Sequence, residues 1–157
     1  MHGANPHSTV EVAGHPIHPM LIPFPIAFFV GTLATDIVFS RNGQIFWATM
    51  GQWLLIAGLV MAALAATAGL TDFLGDRRIR SLNAAWHHLI GNVTTVVIEA
   101  INLWQRLDKG PDFVRPTGLI LSAAVTLLLL YNGWRGWEMV YRDHVGVADE
   151  ADSEVQR

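Results

Sequence analysis

The sequence predicts an all-α integral membrane protein, a four-transmembrane-helix up-down bundle. Three observations carry this. Of the 157 residues, 52% are hydrophobic and only 15% charged, where a soluble domain would carry about a quarter charged residues. The apolar residues gather in four blocks, over residues 20–39, 45–74, 82–104 and 116–134, and crossing a bilayer takes roughly 20 helical residues. The connectors between the blocks are short, which favours antiparallel neighbours. Residues 14–147 form this transmembrane domain. Residues 1–13, polar and small, are expected to be a flexible N-terminus, and 148–157 a disordered acidic tail.

The first helix is preceded by Gly14-His15-Pro16-Ile17-His18-Pro19. A residue before proline is pushed into extended geometry. Extended polyproline-like chain has about three residues per turn, so His15 and His18 are expected to project from the same side. Proline is tolerated in a first helical turn, so Pro23 or Pro25 marks the helix start. Asp36, one turn from the helix end, is expected to reach water beside Arg41.

The second helix carries Gly51, Leu55, Gly58, Ala62, Ala65, Gly69 and Asp72 at four-three spacing. Small residues on one face let helices approach closely. The third helix carries the complementary stripe His88, Asn92, Thr95, Glu99 and Asn102. An ionisable group at mid-bilayer costs about 2.5–3.5 kcal/mol, so this stripe faces the bundle interior. His87, about 100° around the helix from His88, meets headgroups instead. Residues 106–115 are read as a loop leading to the fourth helix.

With four spans, the N-terminus, the second connector and the C-terminus share one face. That face gathers His15, His18, Asp72, His87, His88 and His144. It also holds six of the ten basic residues, Arg77, Arg78, Arg80, Arg135, Arg142 and Arg157, which places both termini in the cytoplasm.

The chain has no cysteine, which excludes thiolate metal sites, cysteine-ligated iron–sulfur clusters and covalently attached haem. A formal net charge of −3 argues against nucleic-acid partners. No nucleophile elbow, phosphate-binding glycine loop or helical His-Glu-x-x-His is present, and no catalytic residues are assigned. What remains is the histidine convergence. The first and third helices are diagonal partners running in the same direction, so His18 and His88 can face each other. That suits the two axial positions of a b-type haem, with His15 as a further ligand. A divalent metal ion is the alternative, since imidazole and carboxylate suit zinc, copper or iron; His15, His18, His88 and Asp72 would hold it. Asp72 and Asn92 can also orient a ligating ring.

The segment from Gly14 to Met20 resembles the opening motif of a widespread bacterial family of small four-helix membrane proteins, domain of unknown function 2231. Pro23-Phe24-Pro25-Ile26 followed by Asp36, Gly69-Leu70-Thr71-Asp72-Phe73 and His88-Leu89-Ile90-Gly91-Asn92 extend the resemblance over most of the chain. The family's closing tyrosine and His-Gly-Val-Gly-Val is met by Tyr141-Arg142-Asp143-His144-Val145-Gly146-Val147, without the glycine after the histidine. The resemblance implies the four-helix fold and a bacterial inner-membrane location, and assigns no reaction.

Three readings stay open. The first is electron transfer through haem or metal, with a membrane or redox protein as partner. The second is a non-enzymatic accessory or assembly subunit binding no cofactor, in which a second copy of the chain can also be the partner. The third is a proton or ion path through Asp36, Glu99, Asn92 and His88.

Overall fold

The computed structural model describes residues 5, 9–13 and 15–147. Gly14 of the opening motif, the acidic tail and most of residues 1–8 lie outside the described residues. Two short strands, β1 (Glu11–Val12) and β2 (His15–Pro16), pair antiparallel. Six helices follow: α1 (Ile17–Leu21), α2 (Pro23–Asn42), α3 (Ile45–Gly75), α4 (Arg77–Arg80), α5 (Asn83–Lys109) and α6 (Thr117–Tyr141). A 3₁₀ turn over Pro111–Val114 separates the last two.

Local chemistry explains the boundaries. Pro23 opens α2 at a position whose N–H would have no intrahelical partner. Gly43, at φ +70°, closes it in the left-handed conformation that other residues resist. The Arg115 guanidinium lies 4.4 Å over the Phe39 ring and donates to the Phe39 carbonyl, tying the end of α2 to the start of α6. Asp76 caps α4 by accepting from Arg78 N.

The four long helices pack in the ring order α2, α3, α5, α6, with α2 also against α6. Helices α2 and α5 therefore face each other across the middle. The inner face of α3 is Ala48, Gly51, Leu55, Gly58, Ala62, Ala65 and Ala68, the small-residue seam expected from its spacing. Phe29, Leu55, Ala62 and Val125 fill the centre. Phe39, Ala48 and Val114 fill one end, and Phe73, Ile79 and Ala85 the other. Large apolar residues such as Trp53, Val60, Leu64, Leu127 and Leu130 stand exposed on the outside, an arrangement suited to lipid. Among the described residues three segments are long and apolar enough to cross a membrane: Ile17–Asn42, Ile45–Gly75 and Thr117–Tyr141.

Three expectations are corrected. His18 is not on extended chain. It lies inside α1, where the first N–H groups have no acceptor, so Pro19 removes no hydrogen bond. His15 stays on β2, exposed. Helix α5 runs on to Lys109, absorbing the first part of the expected loop, because Arg106 finds a buried partner. Helix α6 runs on to Tyr141, its last turns carrying Arg135–Glu138 and Glu138–Arg142 pairs at helical spacing.

Gly58 stands so close to Phe29 that a Cβ there would fall 2.7 Å from the ring's Cδ1. Gly58→Ala is expected to destabilise the protein in detergent by about 1–3 kcal/mol through overpacking. Phe29→Leu should relieve part of that loss in the double variant, read by thermal unfolding followed by circular dichroism.

Candidate functional site

Two polar centres lie inside this frame, one at each end of α5. The first is built on His18 and His88. His18, half-buried on α1, has its Nδ1 2.7 Å from the Ala65 carbonyl oxygen of α3. His88, half-buried on α5, has its Nδ1 3.0 Å from the Asn132 carbonyl oxygen of α6. A carbonyl only accepts, so Nδ1 is the donor in each ring and the neutral ring keeps its lone pair on Nε2. The ring centroids are 6.2 Å apart and the planes nearly perpendicular, at 89°.

Both contacts follow one local rule. A helical carbonyl points toward the residue four positions on, and a side chain there covers it. Four positions after Ala65 stands Gly69, and four after Asn132 stands Gly136. A Cβ on Gly69 would lie 2.7 Å from Cε1 of His18, and one on Gly136 would lie 3.2 Å from Cε1 of His88. Each glycine opens its helix to an imidazole. Asn132, which the sequence did not single out, sits over Gly91 and donates to Asn92 Oδ1 at 3.4 Å. Asn92 thus touches the asparagine whose backbone holds His88.

The other candidate ligands stand apart. His15 has Nδ1 2.9 Å from its neighbour Ala13's carbonyl oxygen. Asp72 Oδ1 accepts from the backbone N–H groups of Thr9 and Val10, at 2.6 and 3.0 Å, and so ties the chain before β1 to the end of α3. His87 and His144 are exposed. Among the described residues no group of three or more His, Asp or Glu stands close enough to hold a metal ion.

The second centre is a buried ion pair. Arg106 donates through Nη1 to Asp36 Oδ1 at 2.9 Å and through Nη2 to Asp36 Oδ2 at 2.6 Å. Asp36 is wholly buried and Arg106 3% exposed. Asp36 is therefore not turned to water beside Arg41, because a fixed guanidinium fork inside the bundle satisfies both its oxygens. Ser122 of α6 donates to Asp36 Oδ2 at 2.8 Å. Asn102 accepts from Arg106 Nε at 2.9 Å and donates to Glu99 Oε2 at 2.9 Å. Gly51 and Gly118 leave room for the fork, since a Cβ on either would stand 3.3 Å from an Arg106 nitrogen. The signal for Arg106 was present in the spacing: the stripe of His88, Asn92, Thr95, Glu99 and Asn102 reaches it with one more step of four.

Removing one member of a buried pair strands the other, a loss of about 3–5 kcal/mol. Arg106→Gln or Asp36→Asn should each destabilise the bundle by that order. The double variant should lose less than the sum, as expected of residues in direct contact. Detergent-solubilised thermal unfolding of the three proteins checks both statements.

No curated protein and no solved structure matches the chain. A family model described as "Predicted membrane protein (DUF2231)" matches residues 14–149, which take in both polar centres and every long helix, and the chain belongs to that family.

Proposed function

We propose that this is a four-span membrane protein in which His18 and His88 hold the iron of a b-type haem, or a single metal ion, for electron exchange with a membrane partner. The observation that carries the reading is the pair of Nδ1–carbonyl contacts, from His18 to Ala65 and from His88 to Asn132. Metal-ligating histidines regularly donate their other ring N–H to a carbonyl, which fixes tautomer and orientation. A two-ligand set suits the axial positions of haem iron, whereas a bare ion would draw further ligands from water or a partner. The group would supply the redox chemistry, and the chain's residues orient the two rings and exclude bulk water from their buried sides.

The fourth span is α5. Trp86, Ile90, Val93, Val97, Ile101 and Trp104 stand exposed along one face, and its polar stripe faces inward. Such a helix has low average hydropathy while presenting lipid with a largely apolar side. Arg77, Arg78 and Arg80 of α4, through the positive-inside rule, support a histidine face on the cytoplasmic side of a bacterial inner membrane.

The same contacts favour a second reading. Each ring also ties two helices together, α1 to α3 and α5 to α6, as an accessory subunit without a cofactor would require.

An oxidised and dithionite-reduced visible spectrum of the detergent-purified protein, expressed with ample haem, separates the two. The expected result is a Soret band with sharp reduced α and β bands, lost in His18→Ala and His88→Ala and kept in His15→Ala. A colourless protein with no bound metal by elemental analysis favours the accessory subunit. The absence of native cysteine makes the span count directly testable. Ser81→Cys and Asp112→Cys, tested singly in membrane vesicles, should react with an impermeant maleimide from opposite sides. Labelling from the same side would remove α5 from the membrane.

A further inference from the structure

We propose that Glu99 is a proton-binding site inside the bundle, a carboxyl that exchanges one proton with water through the Arg106 end of α5. Glu99 is 0% exposed. Its Oε2 accepts from Asn102 at 2.9 Å, while Oε1 has no hydrogen-bond partner among the described residues.

The charges around it are already matched. Asp36 from α2 and Arg106 from α5 neutralise each other. Beside that ion pair α3 presents Gly51 and α6 presents Ser122, neither charged. All three Arg106 nitrogens are engaged: Nε by Asn102, Nη1 by Asp36, and Nη2 by Asp36 and Ser122. Among the described residues no further cation is left for Glu99.

A buried carboxylate without a counter-charge is strongly disfavoured and neutralises instead. A proton on Oε1 achieves that and leaves the Asn102 contact in place. Release is a simple dissociation, carboxyl to carboxylate plus a proton taken by water, with no electron moved. A cavity of about 30 Å³ lined by Thr49, Gln52, Arg106 and Pro111 opens at the same end, more than the roughly 10–15 Å³ that one water needs. The inference is independent of what His18 and His88 hold.

Infrared spectroscopy of the full-length protein in lipid tests it. The expected result at pH 7 is a protonated-carboxyl C=O band that shifts in D₂O and is lost in Glu99→Gln. A wild-type protein without that band, a band unmoved by prolonged D₂O exchange, or a band that survives Glu99→Gln would each overturn the proposal. Should Glu99→Gln not fold, Glu99→Asp must move the band, and an unmoved band overturns the proposal equally.

Discussion

The bidentate contact between Asp36 and Arg106 is the constraint around which the bundle is arranged. Helices α2 and α5 are not neighbours in the ring of four, so this contact crosses the interior. Two charges taken from water gain stability only when geometry and supplementary hydrogen bonds are both good. Ser122 and Asn102 supply those bonds. The facing helices must also leave the fork its volume, and Gly51 on α3 and Gly118 on α6 do so. One ion pair thereby dictates residue types on all four long helices and fixes the axial register of α2 against α5.

The histidine end uses the same logic with a weaker interaction. Backbone carbonyls in a helix are normally screened by their own side chains, and a donor from a neighbouring element reaches one only where the screen is missing. Gly69 and Gly136 remove it, and His18 and His88 enter. The glycines on these inner faces are thus more than a means of close packing, since several mark where a polar side chain from another helix is received. Gly91, beneath the Asn132 amide, is a further case.

Much of this was legible in the chain. Hydropathy located the three strongly apolar helices, and four-three spacing identified both the α3 seam and the inward stripe of α5. The pairing of His18 with His88 followed from topology. Other features depend on contacts between distant segments, which one-dimensional patterns do not encode. The sequence reads Arg106 as loop because a charged residue ordinarily ends a span, and only the presence of Asp36, 70 positions away, reverses that. No one-dimensional pattern marks Asn132, because its side chain matters through Gly91 on another helix. The rule for residues before proline predicts extended chain at His18, but that rule is statistical, and α1 seats Pro19 in the one helical turn that accepts it.

The stripe on α5 invites a reading as one continuous path, but its hydrogen bonds divide it. His88 and Arg106 are 18 positions apart, about 27 Å along a helix axis, close to the thickness of a bilayer's hydrocarbon core. Between the two centres, the Thr95 hydroxyl donates back to the Gly91 carbonyl of its own helix, and Asn92 is engaged by Asn132. Phe29, Leu55 and Val125 fill the core beside them. A proton relay needs successive groups that both donate and accept along one line, and among the described residues that line is interrupted at Thr95. The helix therefore carries two separate polar centres, one made of imidazoles near the face where α1 begins and one made of charges near the opposite face. Each is tied by hydrogen bonds to neighbouring helices, and this is how a helix with so polar an interior side is accommodated among apolar partners.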